Sequence, residues 1–197
     1  DDILAGGAGD DTIDGGAGEG DVAEFTGDQG DYTFASSEDG LTITITETET
    51  GEVDTVTGVE TLSFADGDIG VSQDENGLVL TGRAADSITI VGEVAVTLLG
   101  EDGADILTGS TGDDIIDGGE GNDVLSARGG DDIIDGGLGD DALYGGSGDD
   151  TYRVASGDVR IFTGGGSDAL IMAGRVTGAK IIDADGDGEV DDLQLLG

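Results

Sequence analysis

The chain has 197 residues, of which 46 are acidic and 6 are basic, so its formal net charge is −40. Nucleic acid and anionic membrane are poor partners for such a chain, because both would be repelled, and cations are the natural ones. The absence of cysteine and histidine excludes a disulfide framework and thiol chemistry, and no recognisable nucleophile motif is present, so we expect no enzyme.

The first 22 residues contain two copies of a glycine-rich unit. After DDILA come GGAGDDTID and GGAGEGDVA, the second with one extra residue before its aspartate. DDILA resembles the end of a unit that began earlier, so we expect residues 1–22 to end a first repeat array in a piece of a longer protein.

Residues 23–76 lose this pattern. DYTFASS, GLTITITET and VETLSFADG alternate apolar and polar residues and are rich in Thr, Val and Ile, which predicts strands. Glu38, Asp39 and Gly40 predict a hairpin turn. We interpret 23–76 as a small β module that caps the first array.

A second array, 77–171, begins with degenerate, more apolar coils over 77–99 and then keeps a strict nine-residue period from Gly100 to Ile171. The unit is G-G-x-G-x-D-x-U-x, where U is a large apolar residue. Positions 7 to 9 predict a short strand in which only position 8 faces inward. The inward set is Leu107, Ile116, Leu125, Ile134, Leu143, Tyr152, Ile161 and Leu170.

The glycines and the aspartate of the unit indicate a cation site. Glycine permits positive φ and close turns that bring carbonyl oxygens inward, and the position-6 aspartate adds a carboxylate. An all-oxygen ligand set suits calcium rather than zinc or copper. The alternative is that glycine and aspartate only form tight turns. The fixed position of the aspartate argues against it.

Residues 172–197 are predicted to form a C-terminal cap with a separate calcium loop. The stretch from Asp183 matches a calcium-binding helix–loop–helix loop at several ligand positions, but Gln194 replaces the final glutamate. An acidic surface turn is the alternative. The candidate ligands of this loop are Asp183, Asp185, Asp187, Glu189 and Asp191.

The repeated nonapeptide resembles the calcium-binding repeat of the RTX (repeats-in-toxin) family. The resemblance implies an all-β fold, a parallel β-roll (a β-solenoid), in which two nonapeptides form one coil and each calcium lies between turns one coil apart. Aspartates 18 residues apart should therefore pair, and about five or more ions should bind in the second roll. An extra residue would let Asp86 pair with Asp105.

The candidate metal ligands in the repeats are the position-6 aspartates and the turn glycines. The aspartates are Asp2, Asp11, Asp86, Asp105, Asp114, Asp123, Asp132, Asp141, Asp150 and Asp168. The glycines are Gly103, Gly109, Gly112, Gly118, Gly121, Gly130, Gly136, Gly139, Gly145 and Gly148.

The resemblance also implies export by type I secretion to the exterior or the cell surface. We expect a calcium-dependently folding structural module, of adhesin or surface-layer type. The alternative is the secretion and folding domain of an exported protease, lipase or epimerase whose catalytic part lies elsewhere. Besides calcium, the candidate partners are neighbouring domains or a second copy. They would contact outward position-7 residues, such as Ile106 with Val124 and Ile115 with Ile133, although β propensity alone also explains these residues.

Overall fold

The computed structural model describes residues 1–74, 77–172, 180–182 and 194–196. These residues form short β-strands and one 3-10 helix, and no helix among them has the length and apolarity to cross a membrane. The all-β prediction is confirmed. The elements of residues 1–74 are β1 Ile3–Leu4, β2 Thr12–Asp14, β3 Val22–Glu24, the 3-10 helix Gln29–Asp31, β4 Tyr32–Ser36, β5 Thr42–Glu47, β6 Val53–Thr57, β7 Thr61–Ser63 and β8 Asp68–Asp74. The later strands are β9 Gly77–Thr81, β10 Ser87–Thr89, β11 Val96–Leu99, β12 Ile106–Thr108, β13 Ile115–Asp117, β14 Val124–Gly129, β15 Ile133–Asp135, β16 Ala142–Ser147, β17 Thr151–Val154, β18 Arg160–Gly165, β19 Ala169–Met172, β20 Lys180–Ile182 and β21 Gln194–Leu196.

The second array is a parallel β-roll with two facing sheets. One nonapeptide contributes a strand to one sheet, the glycine-rich turn crosses over, and the next nonapeptide contributes a strand to the other. Even-numbered strands from β10 to β20 form a six-stranded sheet, and odd-numbered strands from β9 onward belong to an eleven-stranded sheet. Each strand pairs in parallel with the strand two later, for example Leu107 with Leu125 and Ile116 with Ile134. The predicted coil of two nonapeptides is confirmed.

The core of the roll is one apolar residue wide. All eight predicted position-8 side chains are buried, and they join one hydrophobic cluster that extends from Ile13 to Leu170. Strand alternation sends positions 7 and 9 outward, so each nonapeptide adds little to the interior. The prediction that only position 8 of each strand faces inward is confirmed. Such a core supplies little burial energy per ordered residue.

The segment 23–76 contributes to the same sheets as the repeats. Its strands β7 and β8 lie between β3 and β9 in the eleven-stranded sheet, while β4, β5 and β6 form an antiparallel meander that pairs with β2. Gly40 has a φ of 68° in the turn between β4 and β5, as the predicted hairpin requires. Phe25, Tyr32, Phe34 and Phe64 contact one another in an aromatic cluster. The division of the chain at 22/23, 76/77 and 171/172 stays a proposal.

Residues 77–99 form coils of the roll, and they differ from the later coils in composition. Leu78, Val79 and Leu80 of β9 are all buried, and Phe34 of the meander forms a parallel bridge with Ile90. Arg128, which occupies a glycine position, has a φ of 78° and an exposed side chain whose Nη1 donates to the carbonyl of Ile90 at 2.7 Å. This contact joins β14 to Ile90, which lies two coils earlier in the roll.

Candidate metal centre

Position-6 aspartates form two rows inside the turns of the roll. Each aspartate immediately precedes a strand, so the stacking of strands also stacks the carboxylates, one per coil. One row precedes the six-stranded sheet and the other precedes the eleven-stranded sheet, and every member is buried. The rows are Asp86, Asp105, Asp123 and Asp141, and Asp114, Asp132, Asp150 and Asp168.

One oxygen of each carboxylate ties two coils together. The backbone N–H of Asp105 donates to Oδ1 of Asp123 at 2.9 Å, and the N–H of Asp132 donates to Oδ1 of Asp150 at 3.0 Å. Five such bonds join aspartates 18 residues apart, and the N–H of Asp86 donates to Oδ1 of Asp105 across 19 residues. The predicted spacing therefore describes the stacking, including the extra residue after Asp86.

The second carboxylate oxygen is where a cation fits. Oδ2 of Asp105, Asp123, Asp132, Asp141 and Asp150 is buried and has no hydrogen-bond partner. A buried acceptor without a donor costs about 1–3 kcal/mol, and more when it is charged. A hard cation bound to these oxygens would remove that cost.

The first aspartate of each row differs from the later ones. Oδ2 of Asp114 accepts the N–H of Ser110 at 2.6 Å, and the residue stacked before Asp114 is Val96, whose N–H donates to its Oδ1. In the same way, Oδ2 of Asp86 accepts the N–H groups of Arg83 and Ala84. The first aspartate of each row is thus satisfied by the protein itself. An oxygen without a partner remains on five of the later ones, Asp105, Asp123, Asp132, Asp141 and Asp150.

Burial makes these carboxyls weak acids in the metal-free fold. Burial is the main cause that raises the pKa of Asp105 to about 6, with the nearby carboxylates of Asp123 and Asp86 as further causes. Burial likewise raises the pKa of Asp132 and Asp141 to about 6 and that of Asp150 to about 7. Stacked acids are therefore costly to ionise unless a cation neutralises them.

The turns require glycine because their backbone lies in close contact with carboxylates of the same turn and with the backbone of the neighbouring coil. A Cβ on Gly118 would lie 2.5 Å from Oδ2 of Asp123, and a Cβ on Gly121 would overlap the carbonyl oxygen of Gly103 one coil earlier. Backbone carbonyls and carboxylates therefore share a crevice that no side chain could enter. No group of three or more acidic side chains arranged to hold a metal ion occurs in the described ranges. A cation between coils would thus combine two carboxylates with backbone carbonyls.

The residues at position 5 form a second, outer row. In this row each side chain accepts the backbone N–H of the residue 18 positions later, whereas a position-6 aspartate accepts from the residue 18 positions earlier. Oδ1 of Asp113 accepts the N–H of Asp131, and Oδ1 of Asp131 accepts the N–H of Asp149. Asn122 takes the same role toward Asp140, so this row needs an acceptor oxygen but not a charge. We therefore treat the outer row as turn structure.

The first array carries equivalent stacking, partly through residues that sequence reasoning missed. Oδ1 of Asp21, which is buried, accepts the N–H of Asp2 at 2.7 Å, and Oε2 of Glu60 accepts the N–H of Asp21 at 2.9 Å. Asp21 is the aspartate of GGAGEGDVA, which the extra residue places out of register and which was not among the predicted ligands, and nothing in the sequence marks Glu60. The candidate ligands Asp183, Asp185, Asp187, Glu189 and Asp191 lie outside the described residues.

A parallel coil with stacked, buried carboxylates in glycine-rich turns defines a metal-binding β-roll. The family model of the RTX calcium-binding nonapeptide repeat matches four copies, at residues 1–20, 97–125, 118–152 and 144–171. The chain therefore carries RTX calcium-binding repeats and contains a calcium-binding β-roll, as the resemblance implied.

No curated protein sequence matches the chain. Among solved structures, the extracellular lipase LipA from Serratia marcescens is similar at 18% identity with a TM-score of 0.33, over 87% of this chain and 28% of the lipase chain. The chain thus spans under a third of that protein.

Proposed function

We propose that the chain is a structural segment of a longer secreted or cell-surface protein, of adhesin or surface-layer type, and that calcium binding drives its folding. The observation that carries the proposal is the unsatisfied Oδ2 atom on successive buried aspartates. Without a cation, most nonapeptides bury one large apolar side chain and one unfavourable carboxyl. With calcium, the same carboxyls become ligands that join neighbouring coils.

The proposed ligands are the position-6 aspartates and turn glycines named above, with one ion for each of the five 18-residue pairs. The 183–194 loop is a further proposed site. Coupled folding also fits export by type I secretion. In calcium-poor cytosol a chain of charge −40 repels itself and stays unfolded, and outside the cell the ion supplies the free energy of folding.

Chelation tests this proposal directly. In EGTA, far-UV circular dichroism of the 197-residue chain should lose most of the β signal of residues 100–171, and calcium should restore it cooperatively. Magnesium should not restore it, because it demands a tighter octahedral shell and gives up water reluctantly. A β signal that is unchanged by EGTA would refute calcium-dependent folding. The full-length gene would decide between the structural role and the tail of an exported enzyme.

A further inference from the structure

Asp11 of the first array and Asp54 of the 23–76 segment are stacked like two repeat aspartates. Strand β2 pairs in parallel with β6, with Thr12 opposite Thr55, so the residues before them face each other across one coil step. The N–H of Asp11 donates to Oδ1 of Asp54 at 2.9 Å. The equivalent bond from Asp105 to Asp123 in the second roll is also 2.9 Å. The separation along the chain is 43 residues instead of 18.

The second oxygen of Asp11 lacks a partner, like the second oxygens in the roll, although the Asp11 side chain as a whole is only half-buried. Oδ2 of Asp11 is buried and has no hydrogen-bond partner. It faces the first glycine of its own unit, since a Cβ on Gly6 would lie 2.8 Å from it. In the second roll, a Cβ on Gly100 would lie 2.5 Å from Oδ2 of Asp105. Asp11 itself lies in a segment that matches the calcium-binding repeat.

A cavity lies on the Asp54 side of this pair, between the repeat turn and the meander. It has a volume of about 350 Å³, and its lining includes Gly6 and Gly7 of the turn and Glu52 and Asp54 of the meander. The carboxylate of Asp54 is therefore accessible to a cation, with room for the water molecules that calcium often retains.

The charges around Asp54 favour a bound cation. The carboxylates of Asp11, Asp10 and Glu52 lie near enough to the carboxylate of Asp54 to repel it. Oδ1 of Asp10 accepts the N–H of Val53, so this second acid is held at the same step. A cation bound by Asp11 and Asp54 would reduce this repulsion.

We propose that Asp11 and Asp54 hold one calcium ion between the first array and the 23–76 segment, at a site in which one ligand comes from outside any nonapeptide. This inference rests on the proposed calcium-dependent function. It implies that the segment interrupts the sequence repeat but preserves the stacking of calcium-binding turns.

Calcium counting by native mass spectrometry tests the site. Asp54→Asn keeps an oxygen that can accept the N–H of Asp11, and it should bind one calcium fewer per chain than the unaltered protein. Asp11→Asn should lose the same ion, so the double variant should also lose only one. Glu49→Gln, which removes an exposed charge from the neighbouring hairpin loop, should lose none.

The outcomes separate the two proposals. If the unaltered chain binds no calcium, the proposed function fails. If it binds calcium and folded Asp54→Asn binds the same number, only the Asp11–Asp54 site is wrong.

A second measurement serves if Asp54→Asn does not fold. Tyr32 lines the same cavity, so it should sensitise Tb³⁺ bound there, and Tyr32→Phe should lower Tb³⁺ emission. Unchanged emission in Tyr32→Phe would overturn the site.

Discussion

Truncation of Leu125 tests whether the thin core and the calcium rows form one cooperative unit. Leu125 is fully buried in β14 and lies in register between Leu107 and Leu143, so Leu125→Ala should leave a cavity worth about 2–5 kcal/mol. If about five ions bind together with folding, this loss is shared among them. Since 1.4 kcal/mol is a factor of ten, the calcium midpoint should rise about two- to fivefold.

The assay is a calcium titration followed by circular dichroism, with Val124→Ala as the matched control. Val124 precedes Leu125 on the same strand but is 40% exposed, so its truncation should shift the midpoint much less. A lower melting temperature for Leu125→Ala with an unchanged calcium midpoint would show that binding and folding of the roll are not coupled. Equal shifts in both variants would show that position 8 is not the core.

Three further outcomes follow from the site. Asp123 stacks between two aspartates, Asp105 and Asp141, whereas Asp114 stacks on one aspartate, Asp132, and has Val96 on its other side. Asp123→Asn should therefore remove two calcium ions and Asp114→Asn one. Equal losses in calorimetric titration would contradict the 18-residue pairing. In EGTA, the calcium-free roll should lose stability as the pH rises from about 4 to 7. Burial raises the pKa of Asp150 to about 7 and that of Asp105, Asp132 and Asp141 to about 6, above the usual 3.8, so these carboxyls favour the fold only while protonated. Circular dichroism in EGTA at several pH values checks this, and a β signal that increases over the range would refute it. Asp185→Ala should remove one calcium and leave the midpoint of roll folding nearly unchanged, because the 183–194 loop draws its ligands from one local stretch; a shift of the whole transition would mean that the roll depends on this loop.

The nine-residue period predicted most of the second roll and its stacked aspartates. Within the period, each residue's position determines its environment, so burial of Leu107 and stacking of Asp105 on Asp123 follow from counting. The same counting fails at the 23–76 segment. Asp54 stacks on Asp11 across 43 residues and Glu60 on Asp21 across 39, and no local pattern specifies separations set by how the strands pair.

The distribution of apolar side chains implies that dependence on calcium is graded along the chain. Around β4 to β9, each coil step buries several apolar side chains, including the aromatic cluster of Phe25, Tyr32, Phe34 and Phe64. From Gly100 onward, most nonapeptides bury a single large apolar side chain. Because hydrophobic stabilisation scales with the area buried, the middle of the chain needs the ion least and the array from Gly100 needs it most. The bridge from Phe34 to Ile90 places the meander, which needs the ion least, beside β10 at the start of the six-stranded sheet. Calcium-bound coils can then stack on β10 one after another.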